Sequence, residues 1–243
     1  MPKAAFAIDR EPDAGRGHEV RSVTLAKELS KRGWSWELAE YYTGPADVLV
    51  IDGRDHADTL QLARGVDYRK VVSITDGPML ICADLIVNGG AGAKLKEDYY
   101  ANNVLCGPDY AILRPEFRKA RLSDEPRKGV FDCRTAAGMG VVEMVQAMRS
   151  AKLVVTYGGM RALEAACTGA ALIVEEQIDA SRGEIENAKA LWLAGAAYWW
   201  INVPRQIGEL NTMNTSKMGR CASELVDGLG CQRVADAIEV LCR

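Results

Sequence analysis

Short apolar runs alternate along this chain with longer stretches that carry apolar residues at helical spacing. The stretch EVRSVTLAKELSKRG (19–33) has the periodicity of an amphipathic helix that ends at Gly33. Four runs have the composition of buried strands: KAAFAID (3–9), ADVLVIDG (46–53), KVVSITDG (70–77) and ADLIVNGG (83–90). Consecutive parallel strands need a crossover connection, usually a helix. The alternation therefore predicts an α/β fold whose parallel sheets are covered by helices.

The same alternation resumes after an interval rich in charge and proline. That interval, PEFRKARLSDEPRKG (115–129), has no apolar periodicity and predicts a linker. Further strands are predicted at KLVVTYGG (152–159), AALIVEE (170–176) and AAYWWIN (196–202), and the chain from Pro204 to Arg243 has only helical patterns. We expect two Rossmann-like domains, residues 1–118 and residues 131–243, joined by a linker over residues 119–130.

Composition excludes several classes of partner. The 243 residues carry a formal net charge of −3, so the chain lacks the basic excess on which nonspecific nucleic-acid binding depends. No apolar run reaches the length of a membrane span, and the first residues do not resemble a secretory signal. The seven cysteines include no C-x-x-C pair, which is typical of reduced thiols in a cytoplasmic protein. With two histidines and no other ligand spacing, no metal site is predicted.

The loop GRGHEVRS (15–22) follows the first strand and opens the first helix. Ligands of parallel α/β sheets bind at the carboxyl ends of the strands, so His18 is predicted at a binding edge. The start of a helix disfavours a charged imidazole, whereas the nearby acids Asp9 and Glu19 favour it. Whichever of the two effects is larger, the pKa of His18 is expected to stay near neutral pH, as a general base requires. The alternative is an ordinary histidine at a helix start.

A second loop of this kind lies in VTYGGMRALEAACTG (155–169). Gly158 and Gly159 could bring backbone amides against a phosphate, and Glu164 could accept hydrogen bonds from ribose hydroxyls. The alternative is a plain turn followed by a solvated acid. The segment DGRDH (52–56) follows a buried strand on the same edge as His18, where a loop of solvated charges is the more ordinary interpretation.

Three stretches together resemble a known family. GRGHEVRSVTLAKEL (15–29), LCGPDYAILRPEF (105–117) and VTYGGMRALEAACTGAALIVEEQ (155–177) are similar, in order and spacing, to the UDP-sugar hydrolase of pseudaminic acid biosynthesis and to spore-coat polysaccharide biosynthesis proteins. The middle stretch is the most specific. This family is related to glycosyltransferases of the GT-B type, in which two Rossmann-like domains face each other across a cleft and the C-terminal domain binds the nucleotide.

The resemblance implies a metal-independent enzyme without a cofactor. His18 would activate water to attack the anomeric carbon of a UDP-linked amino sugar. Gly15 and Gly17 would line the diphosphate, and Glu164 would bind the ribose. The remaining residues that it implies for substrate binding are Asp9, Arg21, Gly158, Gly159, Arg161 and Gln177.

This chain departs from the family pattern where the second domain begins. The family has a strand, a glycine-rich turn and a helix there, whereas PRKGVFDCRTAAGMG (126–140) is predicted to lead directly into a helix. We therefore expect a reduced second domain. Two other functions stay open: a glycosyltransferase that moves the sugar to an unidentified hydroxyl acceptor, and a noncatalytic protein that binds a nucleotide sugar. In each case the partner is a small nucleotide sugar, with no membrane and no nucleic acid.

Overall fold

The chain forms two compact units. The computed structural model describes residues 1–9, 17–42, 44–53, 61, 63, 65–77, 83–93, 103–121, 126–200 and 214–243. The first unit comprises Met1–Gly89, Lys94–Ile112 and Leu229–Arg243, and the second comprises Gly90–Ala93 and Leu113–Gly228. Both units are α/β, as the alternating pattern predicts.

The first unit is built on a six-stranded sheet in which all described pairings are parallel. Its strands are β1 (Lys3–Ile8), β2 (Ser35–Leu38), β3 (Pro45–Asp52), β4 (Asp67–Ile74), β5 (Leu85–Asn88) and β6 (Val104–Cys106), in the spatial order β2-β1-β3-β4-β5-β6. Residues 48–52 of β3 are all buried, as expected for a central strand that is covered on both faces. Helix α1 (Gly17–Lys31) packs on this sheet.

The C-terminal helix belongs to this first unit, not to the predicted domain 131–243. Val234, Ala235 and Ile238 of this helix are buried in one cluster with Leu25 and Leu29 of α1. At its first residue, Gly230, a Cβ atom would lie 2.3 Å from the carbonyl oxygen of Ala111, so the approach requires glycine. Helical periodicity in a sequence indicates an apolar face but does not identify the surface that the face covers.

The second unit has a four-stranded parallel sheet in the order β10-β9-β8-β7. The strands are β7 (Val130–Asp132), β8 (Leu153–Tyr157), β9 (Ala171–Glu175) and β10 (Ala197–Trp200). The helices are α2 (Pro115–Arg121), α3 (Val141–Ser150), α4 (Met160–Thr168), α5 (Arg182–Leu193) and α6 (Thr215–Leu225), and the C-terminal helix of the first unit is α7 (Gly230–Leu241). This sheet has four described strands against six in the first unit.

Two predictions for the start of the second unit are corrected by the structure. The predicted linker 119–130 begins inside α2, where Phe117 and Ala120 are buried, and the unit itself starts at Leu113. The predicted direct passage into a helix is also wrong, because β7 precedes that helix and pairs with β8. A three-residue strand is too short to show alternation in a sequence, and a short charged helix resembles a linker.

Candidate functional site

His18 and Asp52 meet at the carboxyl edge of the first sheet. Strands β1 and β3 are neighbours, with Ile8 opposite Asp52, and the amide of Asp9 donates to the carbonyl of Asp52 over 3.0 Å. Helix α1 begins at Gly17, just beyond β1 in the chain, and so places His18 beside the last residue of β3. The parallel topology therefore assembles the pair from two segments that are far apart in sequence.

A hydrogen bond joins the two side chains and fixes the state of the imidazole. His18 Nδ1 lies 2.7 Å from Asp52 Oδ1. Two lone pairs cannot approach so closely, so Nδ1 must carry the proton that is donated to the carboxylate. In the neutral ring this leaves a lone pair on Nε2, which is the arrangement a general base needs.

The Asp52 carboxylate accepts several further hydrogen bonds from α1. Arg21 Nε and Ser22 Oγ lie 2.8 Å and 2.9 Å from Oδ2, and Arg21 Nη2 lies 2.7 Å from Oδ1. Asp52 is fully buried. Burial raises the pKa of Asp52, but the charge of Arg21 and the hydrogen bonds from His18 and Arg21 more than offset it, so the pKa is lowered overall. The carboxylate is therefore ionised at neutral pH.

The structure places several residues of the first unit that the sequence singled out. Arg21 was predicted to bind substrate, but its guanidinium is buried between Asp52 and Asp76, with Nη1 2.6 Å from Asp76 Oδ1. The interpretation of position 52 as part of a solvated loop is wrong. Gly17 is exposed, and a Cβ atom there would meet no atom of the described residues within 4 Å, so no contact that the structure describes requires glycine at this position. Gly15 lies outside the described residues.

In the second unit, Gly158 and Gly159 connect β8 to α4, as predicted. Gly159 is the N-cap residue of α4. A Cβ atom at Gly158 would lie 2.2 Å from the carbonyl oxygen of Glu184, and Asn187 Nδ2 donates to the Gly158 carbonyl over 3.1 Å. The structure thus gives Gly158 a packing role against α5, while its predicted approach to a phosphate stays a prediction.

Glu164 is buried in α4 and paired with Arg114. Arg114 Nε and Nη2 donate to Oε1 and Oε2 over 2.9 Å and 3.0 Å, and Glu164 is 1% exposed. Burial raises the pKa of Glu164, and the charge of Arg114 opposes that rise. Position 164 is therefore not a solvated surface acid. A carboxylate has about four acceptor sites, so a bidentate arginine leaves capacity for a ligand hydroxyl.

A small pocket lies beside Gly158 in the second unit. It has an empty volume of about 200 Å³ and is lined by residues that include Tyr157, Glu176, Gln177 and Ile185. Pockets that enclose a whole small ligand are larger, on the order of 300 to 1,000 Å³. The empty volume beside Gly158 lies below that range.

Polar side chains cluster at the carboxyl edge of the second sheet. Arg161 is exposed and donates to the Cys133 carbonyl over 3.0 Å. Arg134, which sequence reasoning missed, is hydrogen-bonded to Asp132 and to Glu175, the last residues of β7 and β9. Arg134 lies two residues after Asp132 in the chain, whereas its contact with Glu175 depends on the topology of the sheet, which no local motif marks.

Among the described residues, no group of three or more histidine, cysteine, aspartate and glutamate side chains could hold a metal ion. In the same part of the chain, no helix is both long and apolar enough to cross a membrane.

Comparison with known proteins identifies the fold. No protein-family model matches the chain, and no curated protein matches it by sequence. Among solved structures, MurG of Acinetobacter baumannii is similar over 99% of this chain and 100% of its own, with a TM-score of 0.65 and 14% identity. The kitacinnamycin glycotransferase gives a TM-score of 0.62 at 13% identity over 100% of both chains. The calicheamicin glycosyltransferase CalG4 gives 0.54 at 13% identity over 99% of this chain and 98% of its own. The chain therefore has the GT-B fold of glycosyltransferases, with two Rossmann-like units.

Proposed function

We propose that the protein transfers a sugar from a nucleotide-sugar donor to a hydroxyl acceptor, with His18 as the general base. The hydrogen bond between His18 Nδ1 and Asp52 carries this proposal, because it leaves Nε2 as the proton acceptor at the carboxyl edge of the sheet. The fold supports it, since structural neighbours are described as glycosyltransferases.

In the proposed reaction, His18 Nε2 removes the proton of the acceptor hydroxyl as the oxygen attacks the anomeric carbon. The bond between that carbon and the diphosphate breaks, and the nucleoside diphosphate leaves with the electron pair. A positioned base of this kind supplies roughly 10²- to 10⁴-fold in rate. The imidazolium then returns its proton to solvent.

We assign the donor to the second unit. The N-terminus of α4, which opens after Gly159, offers backbone amides to a diphosphate. Arg161 is exposed on the first turn of that helix, and Gln177 is exposed on the wall of the small pocket. Glu164, held by Arg114, is assigned to the ribose hydroxyls. This proposal assigns no metal and no cofactor beyond the donor.

Water in place of the acceptor would make the same site a UDP-sugar hydrolase, as the sequence resemblance implies. The structural neighbours favour transfer over hydrolysis, because their printed descriptions name glycosyltransferases.

A panel of UDP, GDP, CMP and dTDP in a thermal-shift assay first identifies the nucleotide, since a ligand that binds only the native state raises the unfolding temperature. Absence of any shift would overturn the nucleotide-sugar assignment.

Release of the nucleoside diphosphate from the matching nucleotide sugar then tests the chemistry. We expect release that depends on an added hydroxyl acceptor, persists in EDTA, and falls by roughly 10²-fold or more in His18→Gln. Lys31→Gln, an exposed change at the other end of α1, is the control and should keep full activity. Release without an acceptor would identify a hydrolase, binding without release a noncatalytic protein, and equal rates in wild type and His18→Gln would exclude the histidine base.

A further inference from the structure

Arg21 contacts both Asp52 and His18. Its Nε and Nη2 atoms donate to the buried carboxylate, and Nη2 lies 3.0 Å from His18 Nδ1. Since Nδ1 already carries a proton, the guanidinium cannot donate to it, and this close approach brings a fixed positive charge beside the ring. The Arg21 side chain is 10% exposed, so water screens this charge little.

A histidine that faces a buried carboxylate alone would be held in its charged form. The buried negative charge would favour the imidazolium, and a protonated ring cannot accept a proton from a substrate. In this site the positive charge of Arg21 compensates the negative charge of Asp52. Bidentate hydrogen bonds fix the guanidinium and the carboxylate relative to each other.

We propose that Arg21 is a positioning residue that neutralises Asp52, so that Asp52 can fix the tautomer of His18 without holding the ring as an imidazolium. The inference rests on the proposed function, in which His18 is the base. It replaces the predicted role of Arg21 in substrate binding. The outer nitrogen Nη1 is held by Asp76, whose side chain is 54% exposed, so this second carboxylate anchors Arg21 from the solvent side.

Other charged groups near His18 also affect whether its ring is protonated. Within the described residues these are Asp9, which adjoins Asp52 through the backbone hydrogen bond, and Glu19, the neighbour of His18 on α1. Both carboxylates favour the imidazolium, whereas the N-terminus of α1 disfavours it. In the described part of the chain, Arg21 is the cation that contacts both the His18 ring and the Asp52 carboxylate.

The test is the titration of His18 in the ligand-free protein, followed by NMR of the imidazole. The chain has only two histidines, so His56→Gln leaves a single signal to follow. In this background, Arg21→Met should move the midpoint of His18 upward by at least one pH unit, a tenfold gain in proton affinity. Arg21→Lys keeps the charge and should stay closer to the parent. Arg32→Met removes an ion-paired arginine near the far end of α1 and should leave the midpoint unchanged.

A second pair of variants keeps the inference testable if Arg21→Met does not fold. Asp52→Asn and the double variant Asp52→Asn with Arg21→Met both lack the buried negative charge and differ only in the presence of Arg21. We expect the midpoint to be at least one pH unit lower in the single variant. Equal midpoints in this pair, or an unchanged midpoint in a folded Arg21→Met protein, would overturn the inference. Because no substrate is present, these results do not depend on whether the protein is an enzyme.

Discussion

Replacing Gly158 by alanine tests the close approach between the loop after β8 and helix α5. The new Cβ atom would lie 2.2 Å from the carbonyl oxygen of Glu184, whereas ordinary contacts begin at 3.4 Å. Both partners are backbone, so the two segments must separate by about 1 Å, and overpacking of this kind costs roughly 3 kcal/mol. Alanine restricts the unfolded chain and returns about 0.4 to 1 kcal/mol. We expect a net loss of about 2 kcal/mol.

For a unit of this size, that loss corresponds to a fall in melting temperature of roughly 6 to 10 °C. Urea unfolding followed by circular dichroism measures the stability, and hydrogen exchange of residues 182–193 locates the change in α5. Gly17→Ala is the matched control, because a Cβ atom there meets none of the described atoms within 4 Å. It should be neutral or slightly stabilising. If Gly158→Ala were as stable as Gly17→Ala, the deduced backbone contact would be wrong.

The remaining predictions concern the two buried carboxylates. Arg114→Met leaves Glu164 buried without its bidentate partner and should cost about 3 to 5 kcal/mol, whereas adding Glu164→Gln to it should recover part of that loss in urea unfolding. No recovery in the double variant would contradict this account of the pair. The pKa of Asp52 is lower in the folded protein than its ordinary value of 3.8. Its stabilising contribution is therefore present above that pH and is lost as the pH falls below it toward the folded value. Between pH 5 and pH 3, stability should fall less steeply in Asp52→Asn than in wild type, and equal slopes would refute the pH dependence assigned to this group.

The sequence predicted the fold class because the apolar runs are local signals. Residues 48–52 of β3, for example, form one continuous buried run and define a central parallel strand without further information. The boundaries of the units depended on tertiary contacts. The apolar stripe of α7 is visible in the sequence, but its burial against Leu25 and Leu29 is not.

The candidate site was predicted in position and only partly in its contacts. His18 follows a buried strand and opens a helix, and this local pattern is enough to place it at the carboxyl edge of a sheet. Its pairing with Asp52 depends on β1 and β3 being neighbours, a fact that residue periodicity does not contain. Arg21 was expected to face a substrate, because a sequence shows charge but not the partner that satisfies it. For the same reason, the pairing of Glu164 with Arg114 was not predicted.

The position of α7 in the first unit has a consequence for biosynthesis. On a ribosome, residues 113–228 of the second unit emerge before Leu229–Arg243, which complete the hydrophobic interior of the first. The nascent chain can thus assemble its middle portion while its amino-terminal portion still lacks a helix. Domains usually mature from the amino terminus onward during translation. In this chain the first unit cannot be completed before Leu229–Arg243 have been made, so a chain that ended before Leu229 would lack the helix that closes its interior.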